Sequence, residues 1–453
     1  MRRREIPCAM TIAGSDSGGG AGIQADLKTF SALGVFGTCA ITALTAQNTV
    51  GVYDILPVPA KFVKKQIEIV LKDIEVEAAK TGMLYSSDIM EVVAETAESY
   101  GLKLVVDPVF RAGSGDLLIR EEDKKSLIGV VVPKAYLLTP NKFEAEDIAG
   151  MKIENLDDMK NAAEKIADLG ARAVLLKGGH LNENSKTVTD VLYLNGEFRV
   201  FTKPRIDVKP HGGGCSFSAA ITAYLAHGYS IAQAVDKAEK FISEALTFGF
   251  KVGEGRIPVN PMATLYNEAE KFRVLENVHA AAKMIEENSE LFIPYAAEVG
   301  TQIAMAVSYA SNKWHVAAVE GRIVKVGNKL RRVGCIRFGA SDHLARIILT
   351  AMKHDPNIRA ALNLRYSQEL IEGFQKTGFS VSSFDRSQEP AELKTIEGKT
   401  LSWGVEQAIK KIEKVPDIIY DLGEIGKEPM VRVLGASATN VVDKALTAIK
   451  SIR

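Results

Sequence analysis

The chain has 453 residues, enough for two or three domains with cores of their own, and 46% of the residues are hydrophobic and 25% charged. Lysine plus arginine and aspartate plus glutamate both number 56, so the formal net charge is zero. This balance argues against binding to nucleic acid or to an anionic membrane surface, and any anionic ligand must be held by local groups.

The cysteines and the apolar stretches indicate a reducing compartment. The four cysteines are far apart and form no C-x-x-C pair, which argues against a disulfide framework and against a zinc site. The apolar stretch at residues 9–13 is too short for a signal sequence, and no apolar run approaches the ~20 residues that span a bilayer. We therefore expect a cytoplasmic protein.

Short β-rich runs alternate with amphipathic stretches from residue 8 to about residue 248, which predicts βαβ units, a mostly parallel sheet and helices on both faces. The predicted strands cover residues 8–13, 35–45, 78–80, 103–106, 136–138 and 173–176. The helices predicted between them include residues 62–74, 88–100 and 156–169. Polar and glycine-rich clusters follow several of these strands, where ligands gather in such folds.

A turn-rich segment at residues 251–261 ends this pattern, and we place a domain boundary after residue 265. A helix at residues 263–289 leads into a second, smaller α/β domain at residues 266–453. The helices predicted in this domain cover residues 298–309, 342–354 and 440–452. The predicted strands cover residues 315–319, 334–338, 358–364, 379–383, 417–420 and 431–434.

The segment His211-Gly-Gly-Gly-Cys-Ser216 precedes a strong helical pattern. Three glycines at a helix start leave N–H groups free and allow close approach, which suits a phosphate or a phosphoryl group in transfer. This makes the backbone of Gly212, Gly213 and Gly214 a candidate cofactor-binding loop. The positive end of the helix dipole should lower the pKa of the Cys215 thiol below its usual value of about 8.5. The alternative is a flexible turn followed by a buried cysteine.

Three further polar groups follow strands of the first domain. Asn141 and Glu144 could hold magnesium directly or through water, or they could form the capping box of a helix N-terminus. Lys177, followed by two glycines, offers an ammonium group as a triphosphate contact would require, although such a lysine is usually only solvated. Asp107 ends a strand, where its carboxylate can serve a metal.

The glycine-rich residues 13–22 match neither the G-x-x-x-x-G-K-[ST] phosphate loop nor the G-x-G-x-x-G dinucleotide loop. The order of the motifs nevertheless resembles the hydroxymethylpyrimidine phosphate kinases, a branch of the ribokinase-like superfamily, over residues 6 to about 262. The motifs are residues 11–28, Thr42-Ala-Leu-Thr-Ala-Gln-Asn48, Lys80-Thr-Gly-Met83, Val106-Asp-Pro-Val109, Thr139-Pro-Asn-Lys-Phe-Glu144 and Lys177-Gly-Gly-His180.

This resemblance implies a ribokinase-like fold and ATP-dependent phosphorylation of hydroxymethylpyrimidine and then of its monophosphate. It also implies that Gly14, Asp26, Gln47 and Met83 line a pyrimidine pocket. The amide of Gln47 has suitable chemistry, because it offers a donor and an acceptor to an aminopyrimidine edge.

Phosphoryl transfer requires mainly positioning and charge neutralisation. In the family the glycine loop forms the anion hole, and its cysteine stands where most ribokinase relatives carry a catalytic aspartate. We therefore expect Cys215 to accept the hydroxyl proton as a thiolate, and Asn141 and Lys177 to contact ATP. Mg²⁺ would bind at Asp107 and Glu144. The sequence departs from the family at Gly213, where a threonine is usual.

In the second domain, the most informative stretch lies where a predicted strand passes into a helix. Free N–H groups, the Ser341 hydroxyl and the nearby side chains of Arg337 and Arg346 suit a phosphate. The alternative is an i,i+4 ion pair between Asp342 and Arg346, with His343 as a surface residue.

Five motifs of this domain resemble the thiamine-phosphate synthase domain that is fused to this kinase in archaea and some bacteria. They are Glu320-Gly-Arg-Ile323, Arg337-Phe-Gly-Ala-Ser-Asp-His343, Asn363-Leu-Arg-Tyr-Ser367, Ser383-Phe-Asp-Arg386 and Pro416-Asp-Ile-Ile-Tyr-Asp-Leu-Gly423. The resemblance implies coupling of the pyrimidine pyrophosphate to a thiazole phosphate, with release of pyrophosphate. It further implies Arg322 and His343 as essential residues, and Arg337, Ser341 and Arg386 as phosphate holders.

Two alternatives follow from the same resemblances. The second domain could be a sensor that binds thiamine phosphates without turnover, as this domain type does on DNA-binding regulators, but no helix-turn-helix region is evident. The first domain could be a pyridoxal-type kinase. The expected partners are small molecules, namely ATP, the pyrimidine and its phosphates, and the thiazole phosphate. A homo-oligomer is left open.

Overall fold

The computed structural model describes residues 6–111, 115–116, 118–394, 399–424 and 426–452. The chain divides into two compact units, Met1–Thr264 and Leu265–Arg453. Among the described residues, no helix combines the length and the apolar character needed to cross a membrane.

A nine-stranded sheet forms the centre of the first unit, in the order β3-β2-β1-β4-β5-β6-β7-β8-β9. Neighbouring strands from β2 through β7 in this order are parallel, and β3, β8 and β9 extend the two edges antiparallel. The strands are β1 (Cys8–Asp16), β2 (Phe36–Gln47), β3 (Val52–Pro57), β4 (Ala78–Thr81), β5 (Leu104–Val106), β6 (Leu137–Leu138), β7 (Ala173–Leu176), β8 (Thr187–Leu194) and β9 (Glu197–Pro204). A small parallel pair, β10 (Pro210–His211) and β11 (Ile257–Pro258), lies apart from this sheet.

Helices cover both faces of this sheet. They are α1 (Gly22–Ala32), α2 (Ala60–Asp73), α3 (Ser87–Ser99), α4 (Glu121–Ser126), α5 (Lys142–Ala149), α6 (Leu156–Ala167), α7 (Gly213–Ala226) and α8 (Ile231–Thr247). Alternate residues of β7 enter different cores, with Val174 and Leu176 in one and Ala173 and Leu175 in the other. A strand buried on both faces is a continuous apolar run, which is why this strand was predicted with its observed bounds. The α/β fold class with a mostly parallel sheet is confirmed.

The second unit has a seven-stranded sheet in the order β16-β13-β12-β17-β20-β19-β18. Only the β18–β19 pair is parallel. The strands are β12 (Gln302–Ala306), β13 (Val316–Val319), β16 (Ile336–Phe338), β17 (Ala360–Arg365), β18 (Val381–Ser383), β19 (Ile418–Asp421) and β20 (Met430–Gly435), and a separate hairpin contains β14 (Ile323–Val326) and β15 (Lys329–Arg332).

The long helix α9 crosses the boundary between the units in sequence, and apolar side chains from Val274 to Ile285 join the core of the second unit. Helices α11 and α14 pack against each other, as do α12 and α15. The helices are α9 (Ala263–Glu287), α10 (Ser289–Phe292), α11 (Asp342–His354), α12 (Gln368–Lys376), α13 (Ala391–Lys394), α14 (Lys399–Ile412) and α15 (Ala438–Ser451).

The helix predicted at residues 298–309 is wrong. This segment contains β12, whose five residues are all buried and which pairs with β13 on one side and β17 on the other. The alanines and methionine of the segment favour a helix locally, but two neighbouring strands supply backbone partners and decide the outcome.

Candidate functional site

Loops at the carboxyl ends of the parallel strands of the first unit surround a cavity of about 320 Å³. The site residues predicted for the first domain line this cavity, with one exception. They are Gly14, Gln47, Met83, Asp107, Asn141, Glu144, Lys177, Gly212, Gly213, Gly214 and Cys215.

The exception is Asp26, which is completely buried in α1 and is not among the lining residues. Its two carboxylate oxygens each lie 3.0 Å from Nζ of Lys80, and Thr11 donates a hydrogen bond to it at 2.6 Å. Lys80 does line the cavity. The expected substrate contact is therefore corrected: Asp26 lies behind the cavity and fixes Lys80.

The buried ion pair keeps Lys80 charged. Burial alone would lower the pKa of its ammonium group, but the carboxylate of Asp26, the Cys215 thiolate form and Asp107 outweigh burial and raise the pKa. Lys80 belongs to the motif at residues 80–83, but the family resemblance implies no role for it. Its position in a buried strand, β4, with all four residues buried, was the available signal.

Asn141 and Glu144 form the capping box of α5. The Asn141 side chain accepts a hydrogen bond from the Glu144 N–H at 3.0 Å, and the Glu144 carboxylate accepts one from the Asn141 N–H at 2.8 Å. The structural alternative to metal binding is thus present, and Glu144 still lines the cavity. Burial raises the pKa of Glu144 to about 7, although Lys177 opposes this shift.

Lys177 and Asp107 are directly paired, with 3.0 Å between Nζ and Oδ1. Among the described residues there is no cluster of three or more His, Cys, Asp or Glu side chains that could enclose a metal. Two carboxylates, Asp107 and Glu144, do line the same cavity. Mg²⁺ commonly uses one or two carboxylates and fills its remaining positions with water and substrate phosphates. The donor set therefore fits a magnesium ion that binds together with a nucleotide.

The glycine loop packs tightly against the first glycine-rich segment. Gly212 has a positive φ of 72°, and a Cβ there would overlap the carbonyl oxygen of Gly20. A Cβ at Gly213 would meet only ordinary contacts, the nearest 3.4 Å away on Pro210. Gly212 is therefore required by the close approach, whereas position 213 has room for the family's threonine side chain at its first carbon.

Cys215 lies in the first turn of α7, yet the expected low pKa is wrong for this site. Burial raises the pKa of the thiol to about 11, and the carboxylates of Asp26 and Asp107 add to the rise. Lys80 and a hydrogen bond from the Gly22 N–H act in the opposite direction without overcoming it. The helix dipole argument omitted the cost of burying a thiolate beside two carboxylates.

Gly14, Gln47 and Met83, the residues predicted to contact the pyrimidine, all line this cavity. The hydroxyl of Thr45 donates to Oε1 of Gln47 at 3.1 Å and so orients its amide. A Cβ at Gly14 would lie 3.2 Å from the sulfur of Met83. The glycine therefore lets the Met83 side chain approach the backbone.

Of the residues predicted in the second unit, His343 feels the charges of Arg322 and Arg386, whereas Arg337 pairs elsewhere. Burial, followed by the positive charges of Arg432, Arg322 and Arg386, lowers the pKa of His343 to about 4. The charges of these three arginines therefore act on the imidazole. Arg337 instead pairs with Glu320 at 2.6 Å, with both side chains about half exposed.

At the start of α11, Ser341 and Arg346 make structural contacts within the helix, which the sequence offered as the alternative to phosphate binding. The Ser341 hydroxyl caps the helix by accepting the Leu344 N–H at 3.3 Å. Asp342 and Arg346 form the i,i+4 ion pair at 2.6 Å. Arg322, in contrast, has a positive φ of 71° and donates to the Val299 carbonyl at 2.7 Å. Such a backbone conformation costs of order 1–3 kcal/mol and is often found at functional sites.

Comparison with known proteins decides the family. The sequence profile described as Phosphomethylpyrimidine kinase matches residues 16–260, more than half of the chain. The chain belongs to the phosphomethylpyrimidine kinase family. The profile described as Thiamine-phosphate synthase ThiN matches residues 277–447.

Two similar proteins share this organisation wholly or in part. The bifunctional thiamine biosynthesis protein ThiDN of Methanocaldococcus jannaschii is 35% identical, over 96% of each chain. The hydroxymethylpyrimidine/phosphomethylpyrimidine kinase of Bacillus subtilis is 47% identical, over 56% of this chain and 94% of its own. The protein is thus a thiamine-biosynthesis enzyme in which a kinase domain is followed by a thiamine-phosphate synthase domain.

Solved structures resemble the kinase domain. The pyridoxal kinase of Bacillus subtilis, an ADP complex, gives a TM-score of 0.53 at 37% identity, over 58% of this chain and 99% of its own. The Staphylococcus aureus pyridoxal kinase with AMP-PCP and pyridoxal gives 0.52 at 36% identity, over 57% of this chain and 94% of its own.

Proposed function

We propose that the kinase domain transfers the γ-phosphoryl group of ATP to hydroxymethylpyrimidine and then to its monophosphate. The second domain then couples the resulting pyrophosphate with thiazole phosphate to give thiamine phosphate. One observation supports the first step. The residues predicted to bind the pyrimidine and the groups suited to bind phosphate line the same cavity; they are Gly14, Gln47 and Met83, and the glycine loop with Lys177.

Within this proposal, the nucleotide phosphates bind between Lys177, Asn141 and the N–H groups of Gly212 to Gly214. A loop that presents several N–H groups at a helix start holds phosphate oxygens without a large movement during transfer. Asp107 and Glu144 hold Mg²⁺, which neutralises phosphate charge when it is bound.

Cys215 is the proposed proton acceptor, although its thiol is mostly protonated at neutral pH in the free site. The transition state of phosphoryl transfer is loose in most analyses, so the substrate hydroxyl need not lose its proton early. The ammonium group of Lys80, held by Asp26, favours the thiolate form of Cys215, which is the form that can accept the hydroxyl proton.

In the second domain, Arg322 and His343 are the proposed catalytic residues, and Arg386 is proposed to hold phosphate. The bond between the pyrimidine methylene carbon and the diphosphate oxygen breaks, and negative charge develops on the leaving diphosphate. Guanidinium groups remain charged at any working pH and bind phosphate oxygens in pairs. His343 is neutral above about pH 4 and contributes as a hydrogen-bonding group until an anion binds.

We place both reactions in the cytoplasm. The cysteines at 8, 39, 215 and 335 are all free in the described part of the chain, as is usual in a reducing compartment.

Mass spectrometry of the full-length protein tests the function. With ATP, Mg²⁺ and hydroxymethylpyrimidine we expect the monophosphate and then the pyrophosphate, and added thiazole phosphate should give thiamine phosphate. Pyridoxal in a parallel reaction addresses the likeness to pyridoxal kinases. Phosphorylation of pyridoxal alone would refute the pyrimidine kinase. Accumulation of the pyrophosphate without thiamine phosphate would refute the synthase and restore the sensor interpretation.

A further inference from the structure

A cluster of buried charged residues lies in the second domain, on two adjacent strands of the sheet and just after a third. Arg432 is in the middle of β20, Asp421 ends the neighbouring β19, and Arg386 follows β18. Their exposed fractions are 0%, 1% and 7%. A buried charge is costly unless it is paired and hydrogen-bonded, so the partners of each atom in this cluster indicate what else it binds.

The carboxylate of Asp421 holds both arginines. Oδ1 lies 2.6 Å from Nε of Arg386, and Oδ2 lies 3.2 Å from Nη2 of the same side chain. Oδ2 also lies 2.7 Å from Nη1 of Arg432. Both guanidinium groups lie near the ring of Phe384, that of Arg386 at 5.7 Å and that of Arg432 at 5.5 Å from the ring centre. Arg386 therefore uses its Nε–Nη2 edge on Asp421, whereas Arg432 uses only its Nη1 atom.

The Nε–Nη2 edge of Arg432 has no hydrogen-bond partner among the described residues. Both of its atoms are buried, and Nε2 of His343 is also buried and without a partner in the described part of the chain. Leaving a buried charged donor unpaired costs more free energy than leaving a neutral donor unpaired. This edge of a guanidinium group has the geometry that binds two oxygens of one phosphate or carboxylate.

The charge balance favours a multiply charged anion. Arg386 and Arg432 with Asp421 leave one positive charge, and Arg322, whose charge also acts on the imidazole of His343, adds a second. One carboxylate would neutralise only half of this excess. A phosphate or diphosphate group would neutralise all of it and would also supply the two oxygens that the Arg432 edge requires.

We propose that the Nε–Nη2 edge of Arg432 binds the diphosphate group of the pyrimidine substrate and then the released pyrophosphate, with Asp421 holding the guanidinium group in place. This inference rests on the proposed synthase activity and assigns to it a residue that the sequence motifs do not contain. In the reaction the thiazole nitrogen supplies the electron pair of the new C–N bond. The methylene C–O bond breaks, and its electron pair leaves with the diphosphate, whose added charge Arg432 stabilises.

The test is a synthase assay on the full-length protein, supplied directly with the pyrimidine pyrophosphate and thiazole phosphate so that the kinase step is bypassed. Arg432→Lys keeps the charge but removes the paired donors. We expect the inhibition constant of pyrophosphate and the KM of the pyrimidine pyrophosphate to rise about 10- to 100-fold, as for loss of charged hydrogen bonds. The KM of thiazole phosphate should change little.

Arg359→Lys is the matched control, because Arg359 is a partly buried arginine of the same domain whose Nη1 is paired with Glu270 and Ser308. The kinase rate of each variant normalises the enzyme concentration, and the KM of thiazole phosphate reports whether the second domain is folded. An unchanged inhibition constant in Arg432→Lys would refute the proposal, as would a rise confined to the KM of thiazole phosphate. Absence of synthase turnover in the wild-type protein would instead refute the proposed function.

A second measurement does not depend on the variant folding. In a crystal of the wild-type protein soaked with pyrophosphate, we expect phosphate oxygens within hydrogen-bond distance of Nε and Nη2 of Arg432. Pyrophosphate bound elsewhere in the second domain, with this edge still unpaired, would contradict the assignment.

Discussion

The imidazole of His211 lies 2.8 Å from the carboxylate of Asp16, with Nε2 facing Oδ2, although 195 positions separate the two residues in the sequence. Asp16 also accepts hydrogen bonds from the N–H groups of Gly18, Gly20 and Ala21. The pair thus joins the first glycine-rich segment to the glycine loop for which we propose phosphate binding.

This pair predicts a positioning role for His211 in the kinase. His211→Ala should lower kcat/KM for hydroxymethylpyrimidine about 10- to 100-fold, because the two loops lose a buried charge-assisted hydrogen bond. His211→Gln retains a donor and should recover much of the loss. The synthase rate of the same chain is the internal control. Equal activity of the alanine and glutamine variants would show that the hydrogen bond does not matter.

The pKa of Cys215 predicts the pH dependence of the kinase. With a pKa of about 11, the thiolate is the minor form at pH 7, and its fraction rises tenfold per pH unit below the pKa. Where chemistry limits turnover, kcat should rise with pH by about that factor. Cys215→Ala should flatten this profile and lower the rate about 10²- to 10⁴-fold.

Cys39→Ala serves as the matched control, because Cys39 is a partly buried cysteine outside the cavity lining. The measurement is kcat between pH 6 and pH 9 with saturating ATP and Mg²⁺. Near-normal turnover of Cys215→Ala would remove the thiol from the mechanism and leave the loop only its anion-binding role.

Glu144 predicts a pH-dependent affinity for magnesium. Its pKa of about 7 means that the carboxyl group is largely protonated below pH 7, and a protonated carboxyl is a poor metal ligand. The apparent affinity for Mg²⁺ in the presence of ATP should therefore weaken as pH falls from about 8 to 6. Glu144→Gln should weaken it at every pH and remove this dependence.

Glu146→Gln is the control for Glu144, because Glu146 lies in the same helix and its Oε1 accepts the Ile153 N–H outside the cavity. Titration of kinase activity with Mg²⁺ gives the affinities. The same affinity and pH profile in Glu144→Gln and the wild type would exclude Glu144 as a ligand.

His343 predicts a signature of anion binding in the second domain. Its pKa of about 4 lies below the unperturbed 6.5, so the neutral imidazole is the stable form in the folded protein at neutral pH. The unfolded chain takes up this proton between pH 6.5 and 4 whereas the folded chain does not, so the stability contributed by this group falls as pH falls through that window. Bound pyrophosphate adds negative charge near the imidazole and should raise the pKa.

NMR titration of the histidine ring signals measures this shift, with His343→Asn to assign the resonance. An unchanged His343 pKa with saturating pyrophosphate would separate the imidazole from the anion site. In the synthase assay, Arg322→Ala and His343→Ala should each remove most of the turnover while the kinase rate remains. Near-normal synthase turnover in either variant would remove that residue from catalysis.

Elements whose bounds depend on local sequence patterns could be predicted from the sequence. The α11 helix was predicted with its observed bounds because Ser341 caps it and its apolar residues follow the helical period. The hairpin of β8 and β9 at the sheet edge was missed, since exposed edge strands lack a continuous apolar run. The sequence predicts a helix in place of β12 because the partner strand β17, which pairs with it on one side, is remote in sequence.

In the candidate sites too, motifs identified residues, whereas properties that depend on burial were predicted wrongly. Motif order identified the cavity lining, but it placed Asp26 in the cavity and gave Cys215 a low pKa. Both errors concern burial, which depends on residues from several elements. Arg432 was not singled out, although a charged residue inside the apolar run Met430–Gly435 is a visible anomaly.

The position of β20 in its sheet bears on how the second domain acquires its structure during synthesis. It lies between β17 and β19, yet it follows the other six strands of this sheet in the sequence. Before β20 has been synthesised, β17 and β19 therefore lack their common neighbour, and each has an unpaired edge. In the kinase domain the opposite holds, because the first strand to emerge, β1, is an interior strand to which β2 and β4 are added outward. The kinase can thus be assembled while the ribosome is still translating, whereas the synthase domain closes only when the strand carrying Arg432 arrives.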